Sequence, residues 1–234
     1  MARKKGKEQD SRAALLDAAW QLLLDQGAGG MSVEAIVTRA NLSKGTFFHF
    51  FPTKQDLLDA LCARIADESW QHSGGILQDE QLDPVTRLDR FLQVSRAWRA
   101  QRSRGIGALW QQLVRDENAA LLGRARSLGV ERLVPAMTRL LVEASERGQM
   151  TVSDAEVLAP LVVEWIFTSA EGSQRLLQRP HSTDAVDLAL RRVEATLTGL
   201  ERLLGMADHS LGRVDRAFLG ELATGLSANA KTKG

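Results

Sequence analysis

A single cysteine, Cys62, stands in 234 residues, which excludes an intrachain disulfide framework and fits a reducing compartment. Long apolar runs are missing as well. The stretch Leu161-Val162-Val163 stops at Glu164, far short of a membrane span, so no membrane partner is expected. Met1-Ala2-Arg3-Lys4-Lys5 leads into further charge rather than an apolar segment. No secretory signal is therefore expected, and the cytoplasm is the expected location. Strand signals are absent, because no alternating β-branched run is long enough. His72, His181 and His209 are scattered without metal-ligand spacing. Neither a GxSxG elbow, a P-loop nor a Rossmann glycine pattern occurs. No catalytic residue, metal or cofactor is expected, and the chain reads as something other than an enzyme.

What is present is a soluble globular composition, 44% apolar and 25% charged, in a chain long enough for a small module plus a domain of ordinary size. The net charge of +1 does not point to nucleic acid. Its distribution says more. Residues 1–54 hold eight basic side chains against five acidic ones, and the rest of the chain sits near −2. Part of that excess is the run Arg3, Lys4, Lys5 and Lys7, which suits a solvated tail and a DNA-binding arm equally well.

Punctuation and periodicity predict helices throughout. Leu15, Ala18, Ala19, Leu22 and Leu23 form the stripe of an amphipathic helix over Ser11–Gln26, stopped by Gly27-Ala28-Gly29-Gly30. Ser32 caps a short helix with Val33, Ile36 and Val37 facing inward. Ala40-Asn41-Leu42 makes a tight turn in which Asn41 tolerates a left-handed backbone. Ser43 caps the next helix, which ends at Pro52, and Thr53-Lys54-Gln55-Asp56 reads as a capping box. Gly74-Gly75 closes the helix that follows and is expected to lie in a boundary region. Further helices are expected at roughly 84–102, 105–116, 118–147, 153–178 and 183–204, with Pro84 opening the first of them. Pro135 and Pro160 are expected to kink or split theirs. Residues 228–234 are short and polar and are expected to be disordered.

Two short helices joined by a tight turn suit a helix-turn-helix pressed against a phosphate backbone. Helix starts present unpaired N–H groups and partial positive charge, which favours phosphate. Ser32, Ser43 and Thr53 stand at three such starts, accompanied by Lys44 and Lys54; any one serine alone reads as a plain cap. Gly45 costs helix stability, about 1 kcal/mol relative to alanine, and suits close approach of the backbone to DNA. Thr46 offers a methyl to thymine or a hydroxyl to phosphate, and His49, on the same face, donates to phosphate or a base edge. Phe47 and Phe51 are expected to pack inward against Leu15, Leu22 and Ile36. Of Phe48 and Phe50, one is expected at sugar or base methyls, or over the join with the following helix.

From Ser11 to Leu61 the sequence resembles the tetracycline-repressor (TetR) family of bacterial transcription regulators. The shared pattern is a helix, glycine, a short helix, Ser-Lys-Gly-Thr-aromatic, Phe-Pro-Thr-Lys and then Asp-Leu-Leu. The resemblance implies DNA contacts by Lys44, Thr46, His49 and Lys54; Ser32, Ser43, Gly45 and Phe48 are further candidate contacts from their own chemistry at the helix starts and on the second short helix. Departures occur at Phe48, where tyrosine is usual, at Phe50, where a second histidine is usual, and at Asn41, where glycine is common. The first two remove polar groups that commonly meet phosphate.

The expected architecture is all-α: residues 1–54 a DNA-binding helix-turn-helix domain with a short basic arm, and residues 55–227 a helical regulatory and dimerisation domain. A palindromic double-stranded operator calls for a two-fold symmetric homodimer. Val186, Leu190, Val193, Leu197, Leu200 and Leu204 recur at steps of four and three, a seam for another helix, and Leu158, Leu161, Val162 and Trp165 give the preceding helix an apolar face. Periodicity alone fits an intrachain core too; the resemblance implies a dimer interface. Phe91, Trp98, Trp110, Met137 and Trp165, with Arg102 and Gln111, are candidates for lining a site for a small apolar effector; the same residue types also build cores. The expected function is a repressor released by that effector. A regulator gated by a protein partner or ungated, and a helical enzyme or scaffold with a vestigial head, are the alternatives.

Overall fold

The computed structural model describes residues 2–27, 30–113, 118–178 and 184–227, and every regular element in it is helical. In order these are α1 (Ala2–Gln26), α2 (Val33–Ala40), α3 (Lys44–Phe50), α4 (Lys54–Ser73), a 3-10 turn (Gly74–Gln78), α5 (Pro84–Gln101), α6 (Ser103–Leu113), α7 (Ala119–Glu146), α8 (Ala155–Leu177), α9 (Ala185–Leu203) and α10 (Arg216–Ser227). The all-α architecture follows from the periodicity. The expectation for residues 228–234 lies outside the described residues, as do the side chains of Arg3, Lys4, Lys5 and Lys7. Along the backbone those four continue α1, which begins nine residues before Ser11. Lysine, arginine, glutamate and glutamine are all good helix formers.

The residues group into two compact units. The first comprises Met1–Ile65 and Arg104–Ala125. Its core joins Leu15, Ala19, Leu22 and Leu23 of α1, Ile36 and Val37 of α2, Phe47 of α3, and Leu57, Leu58 and Leu61 of α4. Ala108, Leu109 and Leu113 of α6 complete it, so this unit extends past residue 54. Close approach of α6 depends on Gly105, where a Cβ would stand 2.5 Å from the Trp20 ring. Ion pairs from Arg64 to Asp17 and from Arg39 to Asp25 tie α4 and α2 to α1.

The second unit comprises Ala66–Ser103 and Arg126–Ser227. Gly74-Gly75 therefore falls inside it rather than at a boundary: the 3-10 turn folds Leu77 into the core, and Gly74 leaves space for the Trp70 ring. The core gathers Leu88, Phe91 and Leu92 of α5, Met137, Leu140 and Leu141 of α7, Val162 and Val163 of α8, and Leu197 and Leu200 of α9. Pro135 and Pro160 do not split their helices. The turns beside them are held by buried Ala136, Met137, Ala159 and Val162, so burial offsets the hydrogen bond each proline removes. Asp83 caps α5 by accepting from the Thr86 amide at 3.1 Å, with Pro84 at the first position. The terminal helix α10, absent from the sequence reading, closes a smaller cluster of Leu177, Ala189, Leu219 and Leu226.

Candidate nucleic-acid interface

Local chemistry sets the geometry of the segment from Ser32 to Asp56. The Ser32 hydroxyl accepts from the Ala35 amide at 3.1 Å and starts α2. Asn41 ends it in the left-handed region, φ 53° and ψ 46°, with its amide donating to the Thr38 carbonyl. The Leu42 amide donates to the Val37 carbonyl at 3.0 Å, and the chain turns at once into the next cap. There the Ser43 hydroxyl accepts from the Thr46 amide at 3.0 Å and meets the Thr46 hydroxyl at 2.9 Å. The third start is a closed capping box. The Asp56 carboxylate accepts from the Thr53 amide at 2.8 Å, and the Thr53 hydroxyl accepts from the Asp56 amide at 3.2 Å.

Phe47 and Phe51 anchor this unit from within. Both are buried, and the Arg12 guanidinium lies 5.2 Å over the Phe51 ring. Phe50 is partly buried against the same core. On the outer side of α3, Lys44, Gly45, Phe48 and His49 are exposed and Thr46 partly so. Phe48 is 51% exposed, unlike every other large apolar side chain described in this unit. Lys44 stands 3.6 Å from Glu34, but both are well solvated, and such a pair yields readily to a phosphate. Lys54 occupies the first turn of α4. At Gly45 an added Cβ would meet only the Ser43 hydroxyl, at 3.6 Å, so nothing inside the chain requires glycine there.

The residues assigned to an effector are divided between the two units. Phe91 and Met137 belong to the packed core of the second unit. Trp98 is buried in that unit, with the Arg102 guanidinium 4.6 Å over its ring. Trp110 and Gln111 belong to the first unit, and Trp165 is on the exposed side of α8. The seam residues also divide. Val162, Leu197, Leu200 and Leu204 are buried within the chain, whereas Leu161 is 56% exposed. Leu158, Val186, Leu190 and Val193 are partly buried. Periodicity identified the apolar face of each helix but not which edge of it the chain covers for itself.

The Cys62 thiol is buried, and burial, with the Asp59 charge, pushes its pKa up to about 12. A thiol held protonated at neutral pH is a poor nucleophile, in keeping with a packing role. Among the described residues, no three His, Cys, Asp or Glu side chains gather as a metal set, and no helix is long and apolar enough to cross a membrane.

Residues 15–61 match the model of the tetR family of bacterial regulatory proteins. Over 195 residues the chain is 25% identical to the HTH-type transcriptional regulator BetI of Burkholderia ambifaria, covering 80% of this chain and 97% of that one. Among solved structures, a TetR-family transcriptional regulator from Pectobacterium atrosepticum aligns with a TM-score of 0.65 at 22% identity, over 85% of this chain and 96% of that one. A SmeT–triclosan complex aligns with a TM-score of 0.62 at 19% identity, over 88% and 96%. At these identities the likeness to the solved structures is one of fold.

Proposed function

Because this chain belongs to the TetR family of DNA-binding transcriptional regulators, we propose that it is a homodimeric, cytoplasmic repressor released from a palindromic operator by a small-molecule effector. The observation that carries the DNA-reading part is the outer face of α3. It exposes a lysine, a glycine that internal packing does not need, an aromatic ring and a histidine, all mounted on the buried Phe47–Phe51 anchor.

In this reading Lys44, Thr46 and His49 enter the major groove, and Ser32, Ser43 and Lys54 hold phosphates on either side of it. A capping hydroxyl that accepts from an amide keeps its proton, so Ser32 can donate to phosphate while it caps. Ser43 and Thr46 share one hydroxyl contact, which leaves one proton between them for DNA. Phe48, lacking a hydroxyl, reads by apolar contact with sugar or thymine methyl. Dimerisation uses the exposed edge of α8, Val157, Leu161 and Trp165, with Leu188 and Leu203 of α9. The effector role draws on the fold shared with SmeT, which binds triclosan, and on Trp98 and Arg102 as the polar-aromatic pair in the second unit.

Selection of bound sites from random DNA should yield an inverted repeat. On that site, Lys44→Ala and Lys54→Ala should each weaken binding and flatten the log–log salt dependence by about one phosphate. An unchanged salt slope for both variants would refute the assigned phosphate grip.

A further inference from the structure

Four residues of α3 stand clear of the first unit's core. Lys44, Gly45, Phe48 and His49 are exposed, Thr46 and Phe50 are partly covered, and Phe47 is buried. The exposed four recur at i, i+1, i+4 and i+5, so they share one strip of the helix. Lysine and histidine are ordinary on a solvated strip. A phenylalanine with half its surface in water is not the residue that strip would choose for solubility, and single exposed apolar side chains gain meaning from their setting. The other large exposed apolar side chains among the described residues all belong to the second unit.

The setting of Phe48 is an oriented ring beside bare backbone. Phe48 meets the buried Phe47 edge-on, with ring centroids 5.3 Å apart and planes at 83°, and Phe47 packs in turn on Phe51 at 5.8 Å. These contacts fix one edge of the ring and leave the rest outside. Gly45 precedes Phe48 by three residues on the same strip, and a Cβ there would meet nothing nearer than the Ser43 hydroxyl at 3.6 Å. The missing side chain leaves room for one methyl group against the ring. The neighbouring polar side chains have contacts of their own: the Thr46 hydroxyl meets that of Ser43 at 2.9 Å, and His49 lies edge-on to Phe50 at 4.8 Å.

We propose that Phe48 is a specificity-determining residue that reads the 5-methyl group of one thymine in each half-site of the operator. The inference rests on the reading of α3 as the DNA-reading helix. A helix in the major groove turns toward the base edges the strip that faces away from its own anchor, and here that strip holds Phe48. The thymine methyl is the one apolar group those edges present. A phosphate offers the ring nothing, since phenylalanine carries no donor. Phosphate contacts fall instead to Ser32 at the start of α2 and Lys54 in the first turn of α4, both outside the strip. A sugar contact would lie at the groove wall and serve every sequence alike.

The test starts from the operator that the full chain selects from random DNA. Each thymine of a half-site is replaced in turn by 2′-deoxyuridine, which keeps the base pair and removes only the methyl, and affinity is read by fluorescence anisotropy. At one thymine per half-site the replacement should weaken wild-type binding about fourfold, the worth of one buried methyl. At that position it should cost Phe48→Ala nothing, while Phe48→Tyr, which keeps the ring, should retain the penalty. Phe48→Ala should leave the salt dependence unchanged, because no phosphate contact is lost. Melting curves show that both variants fold, as expected for substitutions at an exposed position. A selected half-site without thymine, deoxyuridine that costs nothing at any position, or a penalty undiminished in Phe48→Ala would overturn the proposal. So would a loss in Phe48→Ala that is equal on operator and on random DNA, the mark of a sugar contact. Failure to enrich any site from random DNA removes the operator-binding reading and this inference together. An enriched inverted repeat indifferent to its thymine methyls removes only the role of Phe48.

Discussion

An added Cβ at Gly45 would meet only the Ser43 hydroxyl at ordinary contact distance, so alanine fits the free protein without strain. Gly45→Ala should stabilise the unbound chain by up to about 1 kcal/mol through helix propensity. It should also weaken operator binding about tenfold, by holding the backbone of α3 away from phosphate. Thermal melting and binding isotherms on one preparation check both signs, and a variant both more stable and equally tight would show that the backbone does not approach DNA there. At this scale the sequence was informative where the chemistry is local. Ser32, Ser43, Thr53 and Asn41 do what their side chains and neighbours dictate, because a cap is formed within three residues of itself.

Among the elements, the segment after α9 is held by one acid. Glu201 is fully buried, accepts from the Leu211 amide at 2.9 Å and pairs with Arg213 at 2.7 Å. Burial alone would raise its pKa, but the hydrogen bonds from Arg213 and Leu211 outweigh that and hold it below the ordinary glutamate value. A depressed folded-state pKa stabilises above the unfolded value, about 4.3, and that stabilisation is lost as pH falls through the lower folded value. Glu201→Gln should therefore destabilise by about 1–3 kcal/mol at neutral pH and flatten the acid limb of the unfolding profile. Circular dichroism melts over a pH series measure this, and an acid limb identical to wild type would rule out the assigned role. Most helices were readable from periodicity and caps. The missed α10 illustrates the limit: Phe218, Leu219, Leu222 and Leu226 make a short stripe, marginal alone, and it is ordered by packing on α9, α8 and α5.

For the whole molecule, the prediction concerns how two copies meet. Leu161 is largely exposed on α8 whereas the adjacent Val162 is buried. Leu161→Glu should convert a dimer to a monomer in sedimentation equilibrium while the helical signal is kept, and Val162→Glu should unfold the chain by placing an unpaired charge in its core. A wild type that sediments as a monomer at micromolar concentration would refute the dimer. The amino-acid sequence by itself determined the helical class, the caps and turn of residues 32–56, and the inward set of Phe47 and Phe51. Those features depend on interactions a few residues apart and on a helical period that needs no knowledge of the partner surface. Only the tertiary structure decided which residues complete the first unit's core, that Pro135 and Pro160 sit in unbroken helices, and which half of the apolar seam is left outside. Burial is a property of what packs against a side chain, and those neighbours come from distant parts of the sequence.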